Sequence, residues 1–309
     1  MIGMIIRRLA IGLLVMWGAA TLIFVIVRIA PGDPAAVLLG PDAEPGQIAR
    51  LRAELGLDQP VPVQYWNYLI DTVRLDFGSS YRLRMPAIEA VLERLPATIE
   101  LTLTSTALAV VVGLTLGILA GMRPNTLSDR IVSGLTTLLQ SFPTFWIGIM
   151  LILIFALWLR LTPSAGTGTP LHMVLPAVTL AFPFVAIVAR VTRSSLVENL
   201  AEPYLDTAYA KGLTLGQAVL GHALKNSLIP VITVIGLHIG ALLGGAVVVE
   251  NVFAWPGLGT LMVDSVGNRD YAVVQAATLV VAGLIVLINL ATDLVYRVLD
   301  PRIRSGRTA

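Results

Sequence analysis

Six stretches of this chain contain no Asp, Glu, Lys or Arg: Leu9–Val27, Leu101–Met122, Ile131–Leu159, Leu171–Ala189, Asn226–Val249 and Tyr271–Thr292. Each is close to or beyond the roughly 20 residues a helix needs to cross a hydrocarbon core. Buried helices of a large soluble protein rarely reach that length six times over. Composition agrees, since 56% of the 309 residues are hydrophobic and 13% are charged, against about 25% charged in ordinary globular chains. The expected fold class is therefore an all-α polytopic membrane protein with six transmembrane helices. Arg7 and Arg8 precede the first stretch, as in a signal peptide. Its apolar run is too long for a signal core and no small-x-small site follows, so it is read as a retained span.

Charge asymmetry sets the expected orientation. With the N-terminus inside, the inner segments hold Arg7, Arg8, Arg123, Arg130, Arg190, Arg193, Lys211, Lys225, Arg297, Arg302, Arg304 and Arg307, while the two short outer loops hold only Arg160 and Arg269. Cytoplasmic loops carry that excess, so both termini are expected to be cytoplasmic. The outer loop from Pro31 to Pro96 carries six arginines, but long loops translocate largely regardless of charge. Two short helices are expected in it. One is Gln47–Leu55, with Ile48, Leu51 and Leu55 on one face and Gly56 as its stop; the other is Val63–Leu75, aligning Trp66, Leu69, Ile70 and Val73. They lie either at the outer membrane surface or against the ends of the spans.

Within the spans, two glycine series recur at every fourth residue: Gly113, Gly117, Gly121 and Gly236, Gly240, Gly244. In lipid this spacing lets helix backbones approach closely. Packing within the chain is the expected use, with a subunit contact as the alternative. Ser141-Phe142-Pro143 and Phe182-Pro183 are expected kinks. His238 is the one ionisable group placed mid-span and is the candidate pathway residue, although no acidic partner accompanies it.

Chemistry is otherwise missing from the text of the chain. The only lysines, Lys211 and Lys225, do not follow a glycine, so no phosphate-binding G-x-x-x-x-G-K-[ST] loop exists. There is no H-E-x-x-H or G-x-S-x-G, the three histidines lack metal-ligand spacing, and cysteine is absent. Catalytic and metal-ligating residues are therefore expected to be none. With net charge +2 and no basic stripe, a nucleic-acid partner is not expected. Energy for uphill transport has to come from elsewhere.

Between the fourth and fifth stretches lies a moderately polar passage, Glu202–Pro230. Pro203 suits the first turn of a helix, Asp206 favours its positive end, and Gly212 is placed to stop it in the left-handed region. About nine helical residues are marginal alone and must dock on something. Nothing else in the chain reads as a soluble domain, so the receiving surface is expected on another protein. Tyr204, Ala208 and Lys211 share a face, and Ala208, with the smallest side chain, is expected at the closest approach.

Glu202–Gly212 resembles the cytoplasmic EAA loop of ABC-importer permeases, with Asp206, Thr207, Ala208 and Gly212 at the acidic, small and glycine positions. The wider text is similar to the dipeptide/oligopeptide/nickel class, specifically the first of its two membrane subunits. The matching runs include APGDP at Ala30–Pro34, GLDQPVPVQY at Gly56–Tyr65, LPATIELT at Leu95–Thr102 and ARVTRSSLVE at Ala189–Glu198. They continue with DTAYAKGL at Asp206–Leu213, HALKNSLIPVIT at His222–Thr233, GGAVVVENVFAWPGLG at Gly244–Gly259, RDYAVVQ at Arg269–Gln275 and DPRIR at Asp300–Arg304. Asp206 stands for Glu, Thr207 for the first alanine, and His238 where similar proteins often carry glutamine.

The resemblance implies a permease subunit in the bacterial cytoplasmic (inner) membrane, paired with a second permease, two ATP-binding subunits and an extracytoplasmic solute-binding protein. It carries no cofactor of its own; ATP and Mg would sit on the partner ATPases. The implied substrate is peptide, with a nickel chelate or glutathione as alternatives. An ion-coupled secondary carrier would show an internal repeat and a mid-membrane ion site, and neither is present. The implied division is residues 1–30 as N-terminus and first span, 31–97 as outer loop, 98–300 as transporter core with the EAA-like loop at about 202–230, and 301–309 as tail. The coupling residues would be Tyr204, Asp206, Thr207, Ala208, Lys211 and Gly212. The turn carrying Trp255, Pro256 and Gly257 is expected either to face the binding protein or to anchor the loop at the interface.

Overall fold

The computed structural model describes residues 2–29, 34–39, 43–54, 56–80 and 82–299. Residues 30–33 of the APGDP run, Leu55, the DPRIR run and the tail lie outside the described residues. The described chain is mostly helical. Contacts divide it into two units, Met1–Thr98 with Pro256–Val286, and Ile99–Trp255 with Leu287–Ala309.

In the first unit, α1 (Ile2–Ile29) is followed by three short helices, α2 (Pro34–Leu39), α3 (Pro45–Glu54) and α4 (Val61–Val73). The expected loop helices thus form, with Gly56 at φ +63° behind α3. The aligned apolar face of α4 is divided, with Leu69 packed on the core of this unit and Trp66 bare. Leu51 is buried, but Trp66 and Val73 on α4 are exposed, and Tyr65, Tyr68 and Gln64 turn inward instead. Tyr65 and Tyr68 meet the Phe24 ring at 5.0 and 5.4 Å. The Tyr65 hydroxyl lies 2.7 Å from Thr21 Oγ1. Apolarity alone did not mark the inward face, because a side chain facing lipid is as apolar as one facing protein.

A two-residue hairpin, β1 (Ser79–Ser80) with β2 (Met85–Pro86), leads into α5 (Ala87–Gly121). The Ser80 hydroxyl donates to the buried Asp270 carboxylate just before α13 (Tyr271–Leu299). The short apolar helix α12 (Leu258–Gly267) starts with its Leu258 N–H donating to Thr98 Oγ1 at 2.8 Å. Ala20, Phe77, Ala87, Val91, Leu258, Leu261, Val273 and Ala276 form the core here.

The second unit is built on α8 (Pro170–Leu200) and α11 (Leu224–Val252). Both run through internal prolines: Pro176 and Pro183 in α8, Pro230 in α11. The kink expected at Phe182-Pro183 therefore leaves the helix continuous. At Phe142-Pro143 the outcome is different. The third expected span is two helices, α6 (Leu127–Ser141) and α7 (Thr144–Leu151), the latter extended by a π-helical segment, Ile152–Trp158. The two arms are bent by 102°. Pro143 lacks the N–H that would continue the ladder, and it forces Phe142 into extended backbone at φ −99°, ψ 138°. Among the described residues five helices are long and apolar enough to span, six if the bent pair counts as one.

The first glycine series lies against α8. A Cβ on Gly113, Gly117 or Gly121 would come within 2.7, 2.5 and 3.0 Å of Val188, Thr192 and Leu196, and within 3.0, 2.6 and 3.2 Å of the carbonyls of Val185, Ala189 and Arg193. Backbone meets helix with no room for a methyl group. In the second series Gly236 packs on Thr292, whose hydroxyl reaches the Gly236 carbonyl at 3.4 Å. Gly240 is buried. Gly244 has open space around it, so the close approach expected along this face stops short of it.

These two environments separate in one experiment. Gly117→Leu should cost about 1–3 kcal/mol through overpacking and lower the melting temperature of the purified chain in detergent. Gly244→Leu, facing open space, should leave it unchanged. Equal melting temperatures for the two variants would contradict the α5–α8 packing.

Candidate functional site

The passage singled out by the sequence folds as two short helices joined by a tight turn. α8 ends at Leu200, and Glu202 at ψ 139° turns the chain into α9 (Pro203–Ala210). Pro203 takes the first turn, where its missing N–H costs nothing, and Asp206 lies in the positive first turn. At the other end the Gly212 N–H donates to the Tyr209 carbonyl at 2.9 Å and the Leu213 N–H to the Ala208 carbonyl at 3.2 Å. With Gly212 at φ +84° this is a Schellman turn, and glycine adopts that φ without a Cβ clash. Thr214 then caps α10 (Leu215–Ala218) in a reciprocal box with Gln217. A π-helical turn, Val219–Ala223, runs on into α11.

The inward face of α9 is made by Leu205 and Ala208, packed with Leu196, Ala218, Val219 and Ala223 and flanked by Ile118, Met122, Leu200, Leu213 and Leu215. This corrects two expectations. The helix is not an orphan, because its own chain receives it. Ala208, only 5% exposed, points into that cluster and cannot mark the approach of a partner. The largest aliphatic residue of the octapeptide is Leu205, and its i, i+3 partner is Ala208. That spacing was the readable sign of the buried face.

The opposite face carries Pro203, Asp206, Thr207 and Ala210, all exposed, with Lys211 and Gly212 exposed at its end. Tyr204 lies on the flank and ties the mount together. Its hydroxyl donates to Asn199 Oδ1 near the end of α8 and accepts from Asn226 Nδ2 near the start of α11, both at 3.2 Å. α9 is thus fixed to α8 and α11.

Two polar tethers on the same end of α8 were not anticipated. Arg193 donates from Nε and Nη2 to Asp129 at 2.5 and 2.8 Å, and Asp129 also accepts from the Asn125 N–H at 2.8 Å. Arg190 donates to Gln140 Oε1. Both bind α6 to α8. Read as orientation charges alone, Arg190 and Arg193 gave no hint of partners across 50 and 64 residues.

The remaining candidates are dispersed. His238 stacks on Phe184 at 5.5 Å, and its Nδ1–H donates to the Val234 carbonyl at 3.0 Å. The turn expected to present a tip does not. Trp255 is 5% exposed, Gly257 is buried and Pro256 half-buried; only Ala254, at φ +48°, is exposed at the bend. A ring of that size removes more apolar area from water than any other choice, which favours burial over display. Glu250, fully buried near the end of α11, was also missed, because the uncharged stretch ends one residue before it.

Two family descriptions match the sequence. Residues 113–305 match "Binding-protein-dependent transport system inner membrane component", and residues 1–102 match the N-terminal part of such components. The chain is 42% identical, over 97% of its length and 98% of the relative's, to a probable peptide ABC transporter permease of Sinorhizobium fredii. It is 44% identical to a glutathione transport system permease of Salmonella typhimurium, covering 92% and 93% of the two chains. The fold is similar to a chain of the inward-facing MetNI methionine ABC transporter, with TM-score 0.57, 22% identity and coverage of 68% of this chain and 96% of that one.

The two faces of α9 should respond oppositely to substitution. Leu205→Ala removes a fully buried side chain and should cost about 2–5 kcal/mol. Ala208→Glu would drive a charge into the same cluster and do at least as much harm. Thr207→Glu, on the exposed face, should leave thermal stability of the isolated subunit unchanged. If all three melt alike, the inward packing of α9 is wrong.

Proposed function

The chain belongs to the binding-protein-dependent transport system inner membrane components, and on that premise we propose that it is one permease half of an ATP-driven peptide importer. The family is one of membrane transport components rather than enzymes. In this reading a second permease completes the pathway, two ATPases bind the cytoplasmic side, and an extracytoplasmic binding protein delivers the solute. Both termini and α9 lie in the cytoplasm of a bacterial cell, and the outer loop lies outside the inner membrane. The expected partition at residues 30, 97 and 300 is retained as the working division of this chain, with 98–300 as the transporter core.

One observation carries the coupling assignment: α9 is mounted firmly on one face and bare on the other. Leu205, Ala208 and Tyr204 bind it to α8 and α11, so a push on the bare face is delivered to two long helices rather than absorbed by a loop. Pro203, Asp206, Thr207 and Ala210 are the surface offered to an ATPase. The sequence holds no phosphate-binding loop of its own, which fits a subunit that receives mechanical work. Peptide is the first reading of the substrate, from the Sinorhizobium relative. Glutathione, the solute named for the Salmonella relative, is the second, and as a tripeptide it presents similar chemistry.

The test is uptake into vesicles containing the reconstituted complex. Transport should require ATP, both ATPases and the binding protein. Thr207→Glu buries an uncompensated charge only if an ATPase covers it, so it should assemble as a stable permease pair yet lose most ATP-driven uptake. Normal uptake with this variant would sink the α9 assignment. Uptake driven by an ion gradient without the ATPases would sink the importer reading itself.

A further inference from the structure

α4 divides into three sectors around its axis. One sector, Tyr65 and Tyr68, faces α1 through the Phe24 ring and the Thr21 hydroxyl. Gln64 adds a bond at the border of this sector, its Oε1 accepting from Arg28 Nη2 at 2.5 Å. A second sector, Gln64, Asn67 and Asp71, lines a cavity of about 650 Å³ together with Glu54, Asp76 and Gln275. That wall is polar and suited to water. The third sector, Val63, Trp66, Ile70 and Val73, is wholly apolar. Trp66 is 64% and Val73 84% exposed, so among the described residues nothing covers them.

Depth identifies what does. Thr21, which meets Tyr65, lies six residues before Val27, where the uncharged run of α1 ends ahead of Arg28, or about 9 Å along the helix at 1.5 Å per residue. The hydrocarbon core is about 30 Å thick, so α4 touches the first span at acyl-chain level rather than above the membrane. At the same level the adjoining face of α1 exposes Leu22, Val25, Ile26 and Ile29. Both surfaces are apolar and exposed. Water on the polar sector, protein on the aromatic one and lipid on the apolar one is the arrangement of an interfacial amphipathic helix, with a tryptophan among its anchors.

We propose that α4 is embedded in the leaflet that holds the C-terminal end of α1, with Val63, Trp66, Ile70 and Val73 against acyl chains. That this is the outer leaflet rests on the orientation proposed above; the lipid contact does not. The helix would hold the outer loop to the membrane while leaving the polar cavity open to water.

The chain has no cysteine, so Val73→Cys and Asn67→Cys each give it one site for a nitroxide label in a complex whose other subunits are cysteine-free. Collision with oxygen, which enters lipid, is compared in vesicles with collision with a water-soluble nickel chelate. Oxygen should dominate at 73 and nickel at 67. Nickel access at 73 would place that face in water or under the binding protein. Exclusion of both reagents would place it under another subunit. Either result overturns the proposal. As a second measurement, lipids brominated along the acyl chain should quench the fluorescence that distinguishes the native chain from Trp66→Phe, and absence of that quenching counts equally against it. Modification of Asn67→Cys by an impermeant maleimide added outside intact cells reads the leaflet separately. Its failure would reverse the orientation and leave the lipid contact standing.

Discussion

Close packing on α8 is the constraint from which the transporter-like unit follows. In lipid no hydrophobic drive holds helices together, so they associate where backbones can approach and polar groups can pair. α8 offers both. Of its most apolar window 61% is buried, against 28–33% for the other long helices. Gly113, Gly117 and Gly121 take three Cβ atoms out of the α5 face that meets it. Thr192 turns its hydroxyl back to the Val188 carbonyl at 2.7 Å, leaving its methyl toward Gly117. Toward the end that carries α9, Arg190 and Arg193 replace packing with charge-assisted bonds to Gln140 and Asp129.

That arrangement makes α9 part of a framework. A helix of eight residues has no stability of its own, and the Schellman turn and the capping box fix only its local shape. Its position comes from Leu205 and Ala208 and from the Asn199–Tyr204–Asn226 chain of hydrogen bonds. Three connections meet near one end of α8: α9 by direct continuation, α11 through Tyr204, and α6 through Arg193. Displacing α9 would load all three helices together. A loop joined only by its termini would transmit nothing of the kind.

Much of this was legible in the sequence, and the failures share a cause. Uncharged length marked the spans because hydrocarbon excludes charge. Gly212 marked the end of α9 because only glycine takes its φ cheaply. Which way a face points was not legible. In water an apolar face must turn inward, but in a membrane it satisfies itself equally against lipid. The face carrying Trp66 and Val73 was therefore left open between membrane surface and protein; those two are bare, while Gln64 and Tyr65 make the protein contact. The reverse error came from treating α9 as surrounded by water, which left Leu205 without a role and gave Ala208 the wrong neighbour. For Trp255 both readings, a tip facing the binding protein and an anchor at the interface, took its position in a loop as exposure, and the ring is buried. The Asp129–Arg193 pair was illegible in another way, since nothing local in either segment specifies a partner 64 residues away.

The bend at Phe142-Pro143 shows why span counting falls short of architecture. A continuous helix from Leu127 to Trp158 would satisfy its backbone within itself and could stand anywhere in lipid. The broken one cannot, because carbonyls freed at the break need partners supplied by neighbouring protein or by water. Its two arms find different settings. α6 is tied to α8 by Asp129 and Gln140, while α7 places Gly148 against Phe253, Val252 and Thr179. Phe142 and Trp146 stack at 4.6 Å directly across the break. The tether at Asp129 lies near the start of α6 and the tether at Gln140 near its end, so a shift of α8 would reach the break through a short rigid arm. If α9 carries the stroke of a partner ATPase, Arg190 and Arg193 are the groups through which α6, and with it the bend, would have to follow.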